Sequence, residues 1–476
     1  MSGTNGTRPK SGRWRLRPRE QRTLLQLGDL LFAVLALVIS LYFWGLQDPW
    51  LDLSRDFLRT RVDFWFYLLP VIWLLLLVEI HDPHRAASWA KTWRGIVAAA
   101  TIGLIFFAIV YLFSPKGSLT RWGVGYFLVF AFFFTLLWRY LYIRIFTSPA
   151  FMRRVLIVGA GRAGQTLVHA YRRLQPPPFY LAGFVDDDPA KQGQQLEGFP
   201  ILGDSRRLLE LIAEEDISEV VVAISGEMRG DTFQTLLDAQ ERGVEIVPMP
   251  TMYEEMMNRV PIYHLESEWL IRSFVNEARV SGFYELGKRL LDIVVSLIGL
   301  FFCALIFPWI SLLIWLDSGF PILYRQIRAG KGGRPFYIYK FRTMYQDAEK
   351  DGKARLTQEN DQRITPVGRF LRRTHIDELP QFLNVLRGEM SVVGPRSERP
   401  EWIAEFQAQI PFYRARLLVK PGITGWAQVN YSYYATVEEM AIKLEYDLYY
   451  IKHRNLWMDV LLILRTIGQV FGLRGR

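Results

Sequence analysis

The chain has 476 residues, half of them hydrophobic and 14% aromatic, with a formal net charge of +10. That length allows two or three domains, and the balance fits a membrane protein with basic cytoplasmic flanks or a protein that handles anionic substrates. A nucleic-acid partner is set aside, because the basic residues crowd membrane borders and Gly/Pro loops instead of one soluble helical face. The only cysteine, Cys303, lies in an apolar run, which excludes a disulfide framework and a cysteine-based zinc site within one chain.

Four apolar segments occupy residues 1–150, at about 24–46, 64–80, 96–113 and 126–146. Each approaches or exceeds the roughly 17–25 residues that cross a bilayer as a helix. The first starts late and lacks a small-residue cleavage pattern, so it reads as a span and not a cleaved signal. Arg8, Lys10, Arg13, Arg15, Arg17, Arg19 and Arg22 precede it, and Arg144, Arg153 and Arg154 follow or close the fourth. By the positive-inside rule both ends are cytoplasmic, so this domain is a four-helix transmembrane bundle and the chain beyond 150 begins in the cytoplasm.

"RRVLIVGAGRAGQTLVHAYRR" (Arg153–Arg173) is an apolar strand, a glycine-rich turn and a helix. Gly159, Gly161 and Gly164 fit the G-x-G-x-x-G spacing that lets a pyrophosphate approach a helix N-terminus. The next strand, "YLAGFVDDD", ends in Asp186, Asp187 and Asp188, near where a ribose-binding acid is expected. Further strand-helix alternation predicts a doubly wound, Rossmann-like α/β domain over 151–255, followed by a linker at 256–280. The glycines are candidate cofactor-binding positions for a nucleotide-like ligand. A fold is not a function, however.

Residues 293–316 form a fifth apolar run with no charge. Hydropathy alone makes it a span, which would put everything after it outside. Pro308 interrupts the run, and a proline there removes a donor and predicts a sharp kink. The run therefore either spans or enters and leaves on the same face.

The basic stretch 321–344 surrounds Gly330, Gly332 and Gly333 with Arg325, Arg328, Lys331, Arg334, Lys340 and Arg342. Such a loop offers cations and amides to phosphate; alternatively it is a collar on anionic lipid. An adjacent acidic pair follows, Asp377 and Glu378, ahead of a Gly394-Pro395-Arg396 turn. In isolation such a pair is a solvated loop.

Several strings occur together in order: "KRLLDI", the proline-containing apolar helix, "YRQIRAG", "YKFRTM", "IDELPQFLNVLRGEMSVVGPR", "KPGITGWAQVN" and "KLEYDLYYIK". Over 281–476 they resemble the bacterial polyprenyl-phosphate phosphoglycosyl transferases. The upstream segments look like the long form of that family, whose members initiate exopolysaccharide, capsule or O-antigen units. The resemblance implies a mainly α catalytic domain with a re-entrant membrane helix at about 290–316, bent at Pro308. It implies transfer of a hexose-1-phosphate, of glucose or galactose type with glucose ahead, from a UDP-sugar to polyprenyl phosphate with release of UMP. It implies a multi-pass protein of the bacterial inner membrane with its active site on the cytoplasmic face, where UDP-sugars are found. By the same resemblance Asp377 is the nucleophile of a covalent phosphosugar-aspartyl intermediate, and Glu378 completes the dyad. The two are also the expected Mg²⁺ ligands, while Arg372, Arg396, Lys340 and Arg342 meet phosphates. A homodimer is compatible with the resemblance.

Two departures stand out. Ser397 replaces the usual proline, which would loosen the turn. "QVNYS" lacks the Gly-Arg that often follows Gln-Val-Asn, which puts a sugar or uracil contact there in doubt. Near the C-terminus Trp457, Leu461, Leu464, Ile467 and Phe471 recur at helical spacing, as on a membrane-surface helix or a packed one. The alternative function is a membrane-anchored NAD(P)-dependent nucleotide-sugar reductase or epimerase. It would use the Gly159 loop and the Tyr-x-x-x-Lys match at Tyr284 and Lys288. A non-catalytic assembly scaffold is the third reading.

Overall fold

The computed structural model describes residues 16, 18–47, 54–113, 121–146, 151–226, 228–265, 281–346, 361–431 and 436–471. The basic residues Arg8, Lys10, Arg13, Arg15 and Arg17 lie outside this set, as do Ser432 and most of the expected linker. Two compact units result, one ending at Met256 and one beginning at Met257.

Three of the four upstream apolar segments are single long helices: α1 (Pro18–Gly45), and, after α2 (Arg55–Thr60), α3 (Leu69–Leu76) and α4 (Pro83–Ala86), α5 (Trp89–Phe113) and α6 (Arg121–Phe146). The second segment differs. It is a 3₁₀ turn over Phe64–Leu68, then α3, then a 3₁₀ turn over Val78–His81. Pro70 cannot continue a hydrogen-bonded ladder but is tolerated in a first turn, so a new helix starts there. Trp44, Phe57 and Phe66 pack ring on ring at one end of the bundle. Leu25, Ala86 and Tyr142 cluster at the other. The start of α1 and the end of α6 thus share one end of the bundle. Within the bundle Asp29 is fully buried and its carboxylate receives both Arg139 and His81, the latter at 2.9 Å. Arg139 also donates to the Ile80 carbonyl at 3.0 Å, so the charges that the apolar segments carry inward are paired.

The α/β domain of the same unit has β1 (Arg154–Val158), α7 (Arg162–Arg172), β2 (Tyr180–Val185), β3 (Gln195–Leu196), β4 (Phe199–Gly203), α8 (Leu208–Glu214), β5 (Glu219–Val222), α9 (Gly230–Glu241), β6 (Glu245–Pro248) and α10 (Met249–Met257). The sheet order is β3-β4-β2-β1-β5-β6, parallel except for β3. The order reverses beside β1, where the glycine turn emerges. Gly159 has φ +110, and a Cβ on it would meet the Ala223 carbonyl oxygen at 2.6 Å. Arg153 and Arg154, read as membrane flanks, are spent inside this domain: Arg153 on Glu219 at 2.9 Å, Arg154 on Glu215 at 2.7 Å.

The second unit opens with residues expected to be linker. Asn258, in a left-handed conformation, accepts from Trp426 through its carbonyl and from Tyr449 through its side chain; Val260 and Ile262 are buried. Helix α11 (Gly282–Ser318) then runs 37 residues with Pro308 inside it. The helical turns continue on both sides of Pro308, which removes one donor from the ladder without ending it. The helix is followed by a hairpin of β7 (Leu323–Ala329) and β8 (Pro335–Phe341). After it come α12 (Pro366–Arg373), a 3₁₀ turn over Ile376–Gln381, α13 (Phe382–Arg387), β9 (Ser391–Val393), α14 (Pro400–Gln409), β10 (Gly422–Thr424), α15 (Trp426–Asn430), α16 (Val437–His453) and α17 (Leu456–Phe471). The unit is mainly helical, as the resemblance implied.

Both halves of α11 lean on this unit. Lys288 donates to the Val393 carbonyl, Arg289 to the carbonyls of Val385 and Leu386, and Asp292 accepts from Ser391 and the Val392 amide. Further along, Cys303, Ile310 and Ile314 share a core with Phe341 and Leu371. The other face stays apolar and exposed at Leu290, Phe301, Leu305, Trp309 and Leu316. In α17, Leu461 is buried while Trp457, Leu464 and Ile467 are exposed, so the predicted stripe is divided between packing and surface.

Candidate active site

The acidic pair is placed by its neighbours on both sides. Thr365 caps α12, with Pro366 at its start, and accepts from the Gly368 amide at 2.9 Å. Gly368 lies so close to the chain leaving β8 that a Cβ would meet the Thr343 oxygen at 2.1 Å. This contact draws α12 against the hairpin and sets Arg372 to donate to the Thr343 hydroxyl at 2.9 Å. His375 then takes φ +57, a left-handed turn that reverses the chain into the 3₁₀ segment carrying Asp377 and Glu378. Both carboxylates end up buried.

Glu378 is held from two directions through one oxygen, Oε1. Lys340 on β8 donates to it at 2.6 Å, and Arg396, after β9, at 3.1 Å. Burial alone would push the Glu378 carboxyl up, but Lys340 and Arg396 outweigh it and keep the group well below the usual range. Asp377 has the opposite balance. Among the described residues no hydrogen bond reaches its carboxylate, and burial, reinforced by the charge of Glu378, pushes it up to about 6 against Lys340, Arg372 and Arg396. Three cations thus face two carboxylates, leaving a positive excess for anionic phosphates. Burial pushes Lys340 down and Glu378 opposes that shift.

Of the six residues named for this chemistry, Asp377, Glu378, Arg372, Arg396 and Lys340 come together. Arg342 does not. It donates to the Ser318 hydroxyl and the Gly319 carbonyl, capping the end of α11. Thr343 and His375 were not singled out in the sequence; the left-handed turn has no local signature in "RRTHIDE". Among the described residues there is no cluster of three or more metal-ligating side chains. The dyad nevertheless suits Mg²⁺, which takes one or two carboxylates plus substrate phosphates and water, and among the described residues no hydrogen bond occupies the Asp377 oxygens.

The Tyr-x-x-x-Lys match is structural. Tyr284 donates to Asp459 at 3.0 Å, and Lys288 meets the same carboxylate at 3.1 Å, tying α11 to α17. In the α/β domain, Asp186 accepts from the Ala160 amide of the glycine turn at 2.7 Å and from Lys191 at 3.0 Å. The expected ribose acid therefore braces the turn itself. A Cβ on Gly164 would meet the Gly159 oxygen at 2.3 Å, whereas Gly161, which caps α7, has open space in front of it.

Residues 283–473 match the bacterial sugar transferase family and 77–250 a CoA-binding domain family. An undecaprenyl-phosphate glucose phosphotransferase of Komagataeibacter xylinus is 32% identical over 93% of this chain and 82% of its own length. A UDP-glucose:undecaprenyl-phosphate glucose-1-phosphate transferase of Xanthomonas campestris is 32% identical over 68% of each. A UDP-N-acetylgalactosamine-undecaprenyl-phosphate N-acetylgalactosaminephosphotransferase of Aeromonas hydrophila is 42% identical over 46% of this chain, a match that spans about half of that relative's length, 52%.

Proposed function

Because the chain belongs to the bacterial sugar transferase family, among the undecaprenyl-phosphate sugar phosphotransferases, we propose that it transfers a hexose-1-phosphate from a UDP-sugar to undecaprenyl phosphate and releases UMP. The observation that carries the mechanism is the split dyad: a buried Asp377 carboxylate with no hydrogen-bonded partner among the described residues, beside a Glu378 locked by Lys340 and Arg396.

An Asp377 oxygen attacks the sugar-bearing phosphorus, forming an acyl phosphate. The bond from that phosphorus to the bridging oxygen breaks, and UMP leaves with the electron pair. An oxygen of undecaprenyl phosphate then attacks the same phosphorus and returns Asp377 as carboxylate. Two displacements replace one between two anions. Lys340, Arg372 and Arg396 offset the charge of the phosphates, and Glu378 keeps two of these cations in place. Mg²⁺, held by free oxygens of Asp377 and Glu378, would supply charge neutralisation at the phosphates.

The same proposal puts the active site on the cytoplasmic face of the inner membrane, with α11 re-entrant. Residues from Lys288 to Gly319 contact one catalytic unit along a helix of about 55 Å, and this supports both ends lying on one side. A single cysteine at Glu405, after replacement of Cys303, should resist an impermeant reagent in sealed cells and react after lysis. Labelling from outside in active protein excludes this topology. The homodimer belongs to the proposal too and is read by mass photometry in nanodiscs. The glycine turn, with Gly161 facing open space, is proposed to take a nucleotide-like ligand.

UMP release over UDP-glucose, UDP-galactose and UDP-N-acetylgalactosamine, with undecaprenyl phosphate and Mg²⁺, tests the activity. UDP-glucose is expected to lead, following the relative that matches nearly the whole chain. No UMP from any donor would refute the proposal.

A further inference from the structure

The turn that carries Arg396 is held by an unusual density of donors. Four consecutive carbonyls, Pro395 to Glu398, each have their own: the Gly422 amide at 2.8 Å, the Arg416 guanidinium at 3.0 Å, the Arg328 guanidinium at 3.0 Å and the Ala329 amide at 2.9 Å. The two central donors are charged side chains from separate elements, β7 and the 3₁₀ turn Tyr413–Leu418. They bracket the peptide from which Arg396 reaches Glu378.

Their own charges are balanced away from the dyad. Arg416 pairs with Asp447 at 2.8 Å and also donates to the Tyr413 hydroxyl at 2.9 Å. The Glu398 carboxylate receives Lys443 at 2.5 Å and lies 3.5 Å from Arg416 and 3.9 Å from Arg328. Arg416, Lys443, Glu398 and Asp447 are all buried. A buried ionic network of this size is poor value for stability alone, since desolvation offsets most of its attraction. What it secures here is the direction of two guanidiniums onto two adjacent carbonyls. Ser397 has no ring to stiffen the turn, and the clamp supplies the rigidity from outside.

We infer that Arg328 and Arg416 are positioning residues for the transfer reaction, acting only through Arg396 by fixing the backbone that aims it at Glu378. The inference rests on the reading of Asp377 and Glu378 as the catalytic pair. It changes the assignment of Arg328, which the basic-loop pattern had offered to phosphate.

The test is a double-mutant cycle on the full-length protein in nanodiscs, measuring UMP release from whichever of the three UDP-sugars turns over best. Thermal unfolding is recorded alongside. Arg328→Met should lower kcat by about 10- to 100-fold, the range expected when a reacting group is displaced by about 1 Å. In an Arg396→Ala background the same change should cost less than about twofold, because the group it positions is gone. Arg416→Gln should behave in the same way. Should Arg328→Met fail to fold, Arg328→Lys keeps the buried charge and removes only the guanidinium geometry, and it should show the same dependence on Arg396. Equal losses in both backgrounds, or no loss in the first, overturn the inference while leaving the dyad intact. Normal turnover by Arg396→Ala alone would instead overturn the site reading and the inference with it.

Discussion

Asp186 and Asp187 in the α/β domain and Asp377 and Glu378 in the catalytic unit are both short acidic runs, and their surroundings drive them apart. Asp186 accepts from the amides of Ala160 and Asp188 and from Lys191; Asp187 accepts from the Ser205 amide and the Thr232 hydroxyl. Burial works against both, yet these partners hold both carboxyls below their usual value. Every oxygen that matters is occupied by the protein. At the other pair the donors among the described residues converge on Glu378, and Asp377 is buried beside a fixed negative charge. A carboxylate with its bonds satisfied is a brace, whereas one surrounded by cations but bonded to none is poised for a phosphorus centre. The comparison teaches that hydrogen-bond saturation separates the two roles, not the presence of adjacent acids.

Several measurements would break or sharpen this contrast. Asp377→Asn should lower UMP release on the order of 10⁴-fold or more, as loss of a nucleophile does, and intact-protein mass spectrometry should find no phosphosugar adduct. Near-normal transfer by this variant would mean that the free carboxylate is not the nucleophile.

Glu378→Gln should fall next, by about 10²- to 10³-fold. Lys340 and Arg396 would lose the charge that fixes them.

The pH dependence should be opposite for activity and for stability. Adduct formation needs ionised Asp377, so its rate should decline as pH drops below about 6. The folded-state value lies above the unfolded one of 3.8, so folding favours the protonated form. The Asp377 contribution to stability therefore improves as pH falls from above 6 towards 3.8. Asp186 and Asp187 have the reverse sign, contributing above their unfolded value and losing that contribution in more acidic solution. A rate that holds steady well below pH 6 would remove the basis for treating Asp377 as the raised member of the pair.

Asp186→Asn should change UMP release by less than about twofold but destabilise the α/β domain by about 1 kcal/mol, seen as faster hydrogen exchange at the glycine turn. Two glycines of one motif should also separate, without touching UMP release. Gly164→Ala should cost about 1–3 kcal/mol through overpacking against Gly159. Gly161→Ala meets nothing within 4 Å and should cost less, about 0.5–1 kcal/mol, because alanine is the poorer N-cap for α7.

The apolar periods, the flanking charges, the glycine spacing and the order of the catalytic strings are local properties, and so the sequence by itself determined the domain order, the α/β layer and the family. Apolar length also determined α1, α5, α6 and α11. Tertiary structure decided what distance along the chain conceals. The second apolar segment broke into turns where Pro70 restarted a helix, and Asp29 found Arg139 across the bundle. Arg342 and Arg328, alike in sequence to Lys340, turned to the end of α11 and to the Ser397 carbonyl, because side chains along a hairpin face different neighbours. Asn258 and its neighbours joined the catalytic unit because their partners, Trp426, Glu445 and Tyr449, lie far along the chain. The poise of Asp377 against Glu378 belongs to this second class. It depends on which of three converging cations each carboxylate can reach, and that geometry exists only once β8, α12 and the turn after β9 have been packed together.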